Sequence, residues 1–363
     1  MTRVLHTPLC ELLGIDVPIL QAPMAGTTTP ALAAACSEAG ALGSIGFAYA
    51  QPEQIRRDVE ATRALTGRPI NINFFTSPQP LPPDAAAQAD AIAAVAGYYR
   101  ELGVTPPVAV SPPYAPDLDA QLDTALALKP GVVTVHLGDL PRERIGQFRA
   151  AGIRVGASAT SVEEARHLEA LGIDFIIAQG AEAGGHRGTF RDDPYHCLTG
   201  TLALTRLIVS RVKTPVVAAG GIMDGAGIAA ALALGAQAAQ LGTAFMPCPE
   251  SAASAIQRQT LLAQADDATV ITEKFSGKPA RGIENRYMRE STGFPQLPFP
   301  AQHALTSPLR TASAKAGVPD FVALWAGQAV ALSRALPAAE LVRELVKETL
   351  ETVDRLARLA AHP

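Results

Sequence analysis

The feature that most constrains the fold is the alternation of eight short apolar runs with segments of helical period, from residue 19 onward. Each run is apolar on successive positions and rich in β-branched residues or alanine, as expected of strands that are covered on both faces. The runs are 19–22, 41–45, 70–74, 132–137, 154–157, 175–178, 216–219 and 238–241. Eight strands with intervening helices predict an α/β fold, a (β/α)8 TIM barrel. An open α/β sheet is the alternative.

Helix candidates lie between the runs, and one of them has a clear start signal. The candidates are 30–39, 53–65, 161–171, 202–212 and 225–234. Ser161-Val162-Glu163-Glu164 has the spacing of a capping box, in which the serine and the second glutamate each bond the other's backbone amide. We therefore expect a helix to begin there.

We predict a barrel domain over residues 1–246, with one extension inside it and two further segments after it. Residues 76–131 combine a proline-rich turn with a helix near 85–102 and read as an extension after the third strand. Residues 247–337 read as an insertion after strand 8 that forms a smaller, substrate-side subdomain. Residues 338–363 carry apolar side chains at helical spacing and predict a C-terminal helix that packs on the barrel, with a coiled-coil partner helix as the alternative.

Composition removes several classes of function. The chain is 48% hydrophobic and 18% charged, so it can bury a large core and is not disordered. Its net charge of −4 gives no electrostatic footprint for nucleic acid. The four cysteines form no CxxC pair, which argues against a metal site. No apolar run is long enough to span a membrane, and we expect a cytoplasmic protein.

Glycine-rich turns follow the seventh and eighth predicted strands. Gly220 and Gly221 come directly after the seventh, and Gly242 and Thr243 directly after the eighth. In a barrel of this kind the active site lies at the carboxyl ends of the strands, and phosphate usually binds after strands seven and eight. Glycine amides and a threonine hydroxyl suit a phosphate monoester. The two turns together predict a phosphate site.

Polar and flat-packing residues end three other strands. Ala22-Pro23-Met24 after the first strand would give a shelf for a planar ring, or else an ordinary strand exit with a core methionine. Asn73 and Gln179, on the third and sixth strands, need partners inside a barrel. The loop after Gln179 contains the glycine pair Gly184-Gly185 followed by His186, the side chain that titrates most easily near neutral pH. Taken alone, that loop is also compatible with a tight turn bearing a surface histidine.

Seven motifs together resemble the FMN-dependent nitronate monooxygenases, once called 2-nitropropane dioxygenases. The motifs are QAPMAG (21–26), NINFF (71–75), HLG (136–138), QGAEAGGHRG (179–188), AAGGI (218–222), QLGTAF (240–245) and SGKPARGIENR (276–286). The resemblance implies the barrel fold, non-covalently bound FMN, a catalytic His186 and a second active-site histidine at His136. With the loops described above, it puts the cofactor-binding residues at Ala22, Pro23, Met24, Asn73, Gln179, Gly184, Gly185, Gly220, Gly221, Gln240, Leu241, Gly242 and Thr243.

The resemblance implies oxidation of an alkyl nitronate, such as propionate 3-nitronate, by O2 to a carbonyl compound and nitrite, a reaction suited to nitroalkane detoxification. A nitronate is already a carbanion equivalent, so the site must mainly hold an anion and offer it a hydrogen bond or a positive charge, which we expect of His186. One alternative is an NAD(P)H-dependent FMN reductase acting on quinones or enoyl thioesters on the same barrel. A remoter one is a non-catalytic barrel that binds a phosphate ligand. The oligomeric state stays open.

Overall fold

A computed structural model describes residues 5–78, 80–191, 193–266 and 268–360, and in it eight parallel strands form a closed barrel. The barrel strands are β1 (Ile19–Gln21), β2 (Gly43–Gly46), β3 (Ile70–Phe75), β4 (Val132–His136), β5 (Arg154–Ala159), β6 (Phe175–Gln179), β8 (Val216–Ala219) and β9 (Ala238–Leu241). They pair in the order β1-β9-β8-β6-β5-β4-β3-β2. A parallel bridge between Leu20 and Leu42 joins the first and last strands of that order, so the barrel prediction is confirmed and the open sheet is wrong.

Helices flank the barrel strands and also occur in the extension and the insertion. They are α1 (Pro8–Leu13), α2 (Pro30–Glu38), α3 (Pro52–Arg63), α4 (Ala85–Glu101), α5 (Leu118–Leu128), α6 (Arg142–Ala150), α7 (Val162–Leu171), α8 (Thr201–Val209), α9 (Gly225–Ala233), α10 (Ala255–Leu262), α11 (Arg286–Glu290), α12 (Ala301–Ala316) and α13 (Ala338–Ala360). Proline occupies the first turn of α2 and α3, where its missing N–H costs no hydrogen bond. No helix in the described ranges has the length and apolarity to cross a bilayer.

The first half of the C-terminal helix α13 packs on the barrel side, whereas Val353, Leu356 and Leu359 in its second half are exposed. Leu341, Val342 and Leu345 are fully buried in one apolar cluster with Leu32 of α2 and Ile228 of α9. Burial of this kind stabilises a fold by about 1.5–3 kcal/mol per large aliphatic side chain. The last residues of the predicted segment, 361–363, lie outside the described residues.

The extension after β3 and the insertion after β9 share one hydrophobic cluster. Tyr99 of α4 packs with Leu305 and Leu309 of α12, and its hydroxyl donates to the Leu305 carbonyl. The insertion also contains β10 (Thr269–Thr272) and β11 (Ala280–Ile283), which were not predicted. β11 pairs with a two-residue strand, β7 (Gly185–His186), in the loop that follows β6. The insertion is therefore attached directly to the loop that carries His186.

Candidate active site

A cavity of about 630 Å³ opens among the carboxyl ends of the barrel strands and residues of the insertion. Every predicted cofactor-binding residue except Leu241 lines this cavity, and so do His186 and His136. Leu241 points the other way: its side chain is 1% exposed and packs with Ile19 and Ile222 in the core. Because side chains alternate along a strand, Leu241 offers the cavity no side-chain contact, unlike its neighbour Gln240.

One end of the cavity is a cradle of glycine backbone. Gly220 and Gly221 have φ angles of 122° and 68°, which side chains other than glycine rarely adopt. A Cβ on Gly220 would lie 2.7 Å from Oγ1 of Thr201, and one on Gly221 would lie 3.0 Å from Cβ of Glu182. The Glu182 carboxylate in turn accepts from the backbone N of Thr201, at 2.9 and 2.7 Å, and fixes this turn. The backbone here can approach a ligand closely without any intervening side chain.

Hydrogen-bonding groups beside this cradle are left for a ligand. Thr243 Oγ1 accepts from the backbone N of Gly327 at 3.0 Å, which leaves its own hydroxyl hydrogen to donate. Oε1 of Gln240 is shielded from solvent and has no partner in the described chain. An unpartnered buried acceptor is costly, so a donor on a bound ligand would stabilise it.

Asn73 forms part of the cavity wall at the end of β3. Its Nδ2 donates to the carbonyl oxygen of Thr134 at 3.1 Å and to Oγ1 of Thr134 at 2.9 Å. Asn71 donates to the same Oγ1 at 2.9 Å, so the two asparagines share one side of the strand as their spacing predicts. With its NH2 group held in this way, Asn73 keeps its amide oxygen as the group that a ligand can bond.

Gln179 clamps the histidine loop. Its Nε2 donates to the carbonyl of His186 at 3.0 Å, and its Oε1 accepts from the backbone N of Gly188 at 2.7 Å. Arg187 is fully buried beneath it and donates to the carbonyl of Gly180 at 2.6 Å and of Cys197 at 3.0 Å. The Gln179 amide therefore uses most of its hydrogen bonds to hold the backbone of the histidine loop.

His186 borders the cavity inside an aromatic enclosure. Its ring centroid lies 5.7 Å from that of Phe75, 5.6 Å from Phe299 and 5.7 Å from Trp325. Its Nε2 lies 3.0 Å from Oγ of Ser276, whose hydroxyl donates to the Lys278 carbonyl and so accepts from the histidine. Nδ1 of His186 is then the unprotonated ring atom, without a partner in the described chain.

Burial lowers the pKa of His186 to about 3, and the nearby charges of His136, Lys278 and Arg310 act in the same direction. The free site therefore holds a neutral imidazole. A bound anion beside the ring would raise this pKa again.

His136 has no ring nitrogen left for a ligand. Its Nε2 lies 3.1 Å from the His186 carbonyl, which can only accept, so Nε2 carries the hydrogen. Its Nδ1 then accepts from the Ser158 hydroxyl at 2.9 Å. Burial lowers the pKa of His136 to about 4, so this arrangement is a neutral one. In this arrangement His136 holds the backbone carbonyl of His186, and its role as a second catalytic histidine stays a prediction.

The cavity lining contains an arginine and no carboxylate among the described residues. Arg310, from α12 of the insertion, borders it together with Tyr49 and His303. Sequence reasoning missed these three, because nothing local marks a residue of the insertion or of a loop after β2 as facing the barrel. No group of three or more potential ligands among the described residues could hold a metal ion. The electrostatics favour an anionic organic ligand.

Comparison with known proteins gives a consistent result. A family model described as "Nitronate monooxygenase" matches residues 6–348. Nitronate monooxygenases of Paraburkholderia phytofirmans and Pseudomonas aeruginosa are each 46% identical to the chain, over 97% and 93% of it and 97% of each relative. The crystal structure of a nitroalkane oxidase from Streptomyces ansochromogenes is 41% identical, covers 96% of this chain and 99% of its own, and superposes with a TM-score of 0.89.

Proposed function

The chain belongs to the nitronate monooxygenase family, and from this premise we propose that it oxidises alkyl nitronates with O2 to a carbonyl compound and nitrite, using FMN held in the cavity. It is an oxidoreductase of the nitronate-oxidising type. The observation that supports the finer proposal is the cavity itself. It joins a glycine cradle, unpaired amide oxygens and a neutral histidine, and its lining has no carboxylate among the described residues.

The residues present fit FMN. The Gly220-Gly221 cradle and the amides and hydroxyl at Gly242 and Thr243 suit its phosphate. Asn73 and Gln240 offer amide oxygens to its N–H and hydroxyl groups. Ala22, Pro23, Met24, Gly184 and Gly185 complete the wall. The chemistry that FMN supplies when bound is the transfer of electrons from the nitronate to O2.

His186 holds the reacting end of the substrate in this proposal. A nitronate beside the ring raises its pKa, so the ring takes up a proton and Nδ1–H donates to a nitronate oxygen. Given a neutral nitroalkane instead, the free Nδ1 lone pair can accept the carbon-bound proton. The rings of Phe75, Phe299 and Trp325 exclude water from this end of the cavity.

We propose a division of labour between the barrel and its insertion. Barrel residues 1–246 hold the cofactor, while the insertion at 247–337 closes the substrate side. In support, His303, Arg310 and Trp325 of the insertion line the same cavity as the barrel glycines. The pairing of β11 with β7 ties the two parts together at His186 itself.

The test is anaerobic mixing of the purified, flavin-loaded protein with propionate 3-nitronate and, separately, with NADH. We expect the nitronate to abolish flavin absorbance quickly, and O2 then to restore it with release of nitrite. We expect NADH alone to act slowly or not at all. Denaturation should release FMN rather than FAD. Rapid reduction by NADH without nitrite from nitronates would instead favour the reductase alternative, which the comparisons do not favour.

A further inference from the structure

A chain of side-chain contacts outside the cavity joins the loop after β4 to the histidine loop. Nε2 of His167, on α7, lies 2.6 Å from Oδ2 of Asp139. Nδ1 of the same ring lies 3.3 Å from Nη1 of Arg191. Asp139 comes three residues after His136 in the sequence, and Arg191 comes five residues after His186. His167 therefore connects the two loops that continue from the cavity histidines, and we call the contacts Asp139–His167–Arg191 the loop latch.

The loop latch requires a neutral His167 ring. The ionised carboxylate of Asp139 can only accept, so Nε2 carries the hydrogen and donates to it. The guanidinium of Arg191 can only donate, so Nδ1 accepts from it with its lone pair. A protonated imidazole carries a hydrogen on both nitrogens, and Nδ1–H would then face a donor of like charge. Protonation therefore keeps the bond to Asp139 and breaks the bond to Arg191.

Other charged groups around the ring give Arg191 a second partner. Its Nε lies 3.6 Å from Oε1 of Glu163, one turn before His167 on α7. The buried carboxylate of Glu164 accepts from the backbone N of Arg191 at 3.2 Å. On the α6 side, Arg142 donates to a backbone carbonyl in the last turn of α7. Because Glu163 remains beside the guanidinium, releasing Arg191 from His167 does not leave its charge unpaired.

His167 differs from the cavity histidines in its access to solvent. Burial lowers the pKa of His136 to about 4 and that of His186 to about 3, so both of these rings stay neutral at neutral pH. The side chain of His167 is 29% exposed and packs against the ring of Phe190, with centroids 6.2 Å apart. Histidine is the side chain whose charge ordinarily changes near neutral pH. Protons from solvent can reach this one.

We infer that His167 is a pH-sensitive positioning residue, which ties the histidine loop to the loop after β4 when it is neutral and releases Arg191 when it is protonated. None of the three latch residues lines the cavity, so His167 acts through the two loops and does not touch a ligand. The inference goes beyond the proposed function, because the latch opens with or without a nitronate. Opening removes one support of the loop that carries His186 and leaves the Glu164 carboxylate as another.

Hydrogen exchange tests the latch without turnover. The measurement is the protection of the backbone amides of residues 187–191 in the purified protein between about pH 8 and 5, corrected for the intrinsic pH dependence of exchange. His167→Gln is a neutral mimic, because its amide can donate to Asp139 and accept from Arg191 at every pH. We expect protection in the parent to fall toward pH 5 by about 3–10-fold more than in this variant. A fall that both proteins share belongs to other groups.

Two further variants complete the comparison. His167→Ala removes the latch, so protection should be low already at about pH 8. His196→Gln changes an exposed histidine and should follow the parent at every pH. The inference would be overturned by equal pH dependence in the parent and in His167→Gln, or by parental protection at the upper pH in His167→Ala.

Steady-state kinetics test whether the latch positions the reacting site, and this second readout rests on the proposed function. The value compared is kcat/KM for propionate 3-nitronate in His167→Gln divided by that of the parent, in which the titration of the substrate itself cancels. We expect a ratio near 1 at about pH 8 that rises about 3–10-fold toward pH 5. A flat ratio would overturn the positioning role. A chain that oxidised no nitronate would overturn the proposed function, while hydrogen exchange would still decide on the latch.

Discussion

His186 and His136 use their ring nitrogens differently, although both line the cavity. One ring nitrogen of His186 bonds Ser276, and the other has no partner among the described residues. Both ring nitrogens of His136 bond groups of the protein, namely Ser158 and the His186 carbonyl. A group without a free donor or acceptor cannot act on a substrate unless it breaks one of these bonds. We therefore propose that His186 takes part in the chemistry and that His136 positions its backbone.

His186→Ala tests this assignment. We expect the variant to fold and keep FMN, because His186 contributes none of the cradle, but to lose about 10²–10⁴ in kcat/KM for nitronates. The comparison is His136→Gln, which should lower kcat/KM by less than His186→Ala does and should leave the pH dependence of kcat/KM unchanged. The measurement is steady-state nitrite release across pH. An alanine variant within a few-fold of the parent would show that His186 is a bystander.

The sequence predicted which residue types gather at the site better than it predicted what each one does. Gly221 and Thr243 follow strands whose ends must meet, so their placement follows from strand order alone. The free nitrogen of His186 depends on Ser276, ninety residues away in sequence. Whether the charge of Arg310 is neutralised depends on its tertiary neighbours, and the cavity lining has no carboxylate among the described residues. Such properties arise from tertiary neighbours, which no local pattern reports.

At the scale of elements, helix α7 supplies a buried carboxylate, Glu164, in addition to its capped N-terminus. Ser161 caps the helix by accepting from the backbone N of Glu164 at 3.1 Å, as predicted. The Glu164 carboxylate, however, accepts from the backbone N of Thr160 at 2.6 Å and of Phe190 at 2.7 Å. It is fully buried and also accepts from the backbone N of Arg191 at 3.2 Å. This carboxylate therefore anchors the far end of the histidine loop to the barrel.

Glu164→Gln should loosen that anchor. An amide presents an NH2 group where two backbone N–H donors converge, so at least one buried donor loses its acceptor at about 1–3 kcal/mol. We expect a lower free energy of unfolding and faster amide hydrogen exchange in the histidine loop. Glu163→Gln is the matched control on the same helix, since its carboxylate is exposed and pairs with Arg191 at only 3.6 Å. Equal effects of the two variants would contradict the anchoring role.

Several of the described elements that the sequence did not predict are short, although the 16-residue helix α12 is not. β7 has two residues, and it pairs with β11 only because the insertion folds back over the barrel. Strands of this length carry no periodicity, so their existence depends on contacts between distant segments. The eight barrel strands have their own patterns and were predicted to within about two residues, and the helices α2, α3, α4, α7, α8, α9 and α13 to within about three. The helices α5, α6 and α12 were not predicted.

At the scale of the whole molecule, closing the insertion over the barrel buries three histidines that an unfolded chain exposes. Burial is the main cause that lowers the pKa of His136 to about 4, of His186 to about 3 and of His303 to about 2. The carboxylates that could oppose this shift are absent from the described cavity lining, and Lys278 and Arg310 reinforce it. The electrostatics suited to an anionic ligand thus make the free protein sensitive to acid.

The stability of the ligand-free protein should fall as pH drops below about 6.5. Between that value and the lowered folded pKa values, the unfolded chain binds protons that the folded chain excludes, so each histidine adds about 1.4 kcal/mol per pH unit to the slope. The stabilisation is complete above pH 6.5 and is lost progressively toward the folded pKa values. Between about pH 4.5 and 6, His303→Gln should lower the slope of the unfolding free energy against pH by the contribution of about one proton. The measurement is urea denaturation at several pH values in this range. His196→Gln, at an exposed histidine, should leave the slope unchanged. If the His303 variant had the parental slope, the ring would already be protonated in the folded state, and burial would not be what keeps this end of the cavity neutral.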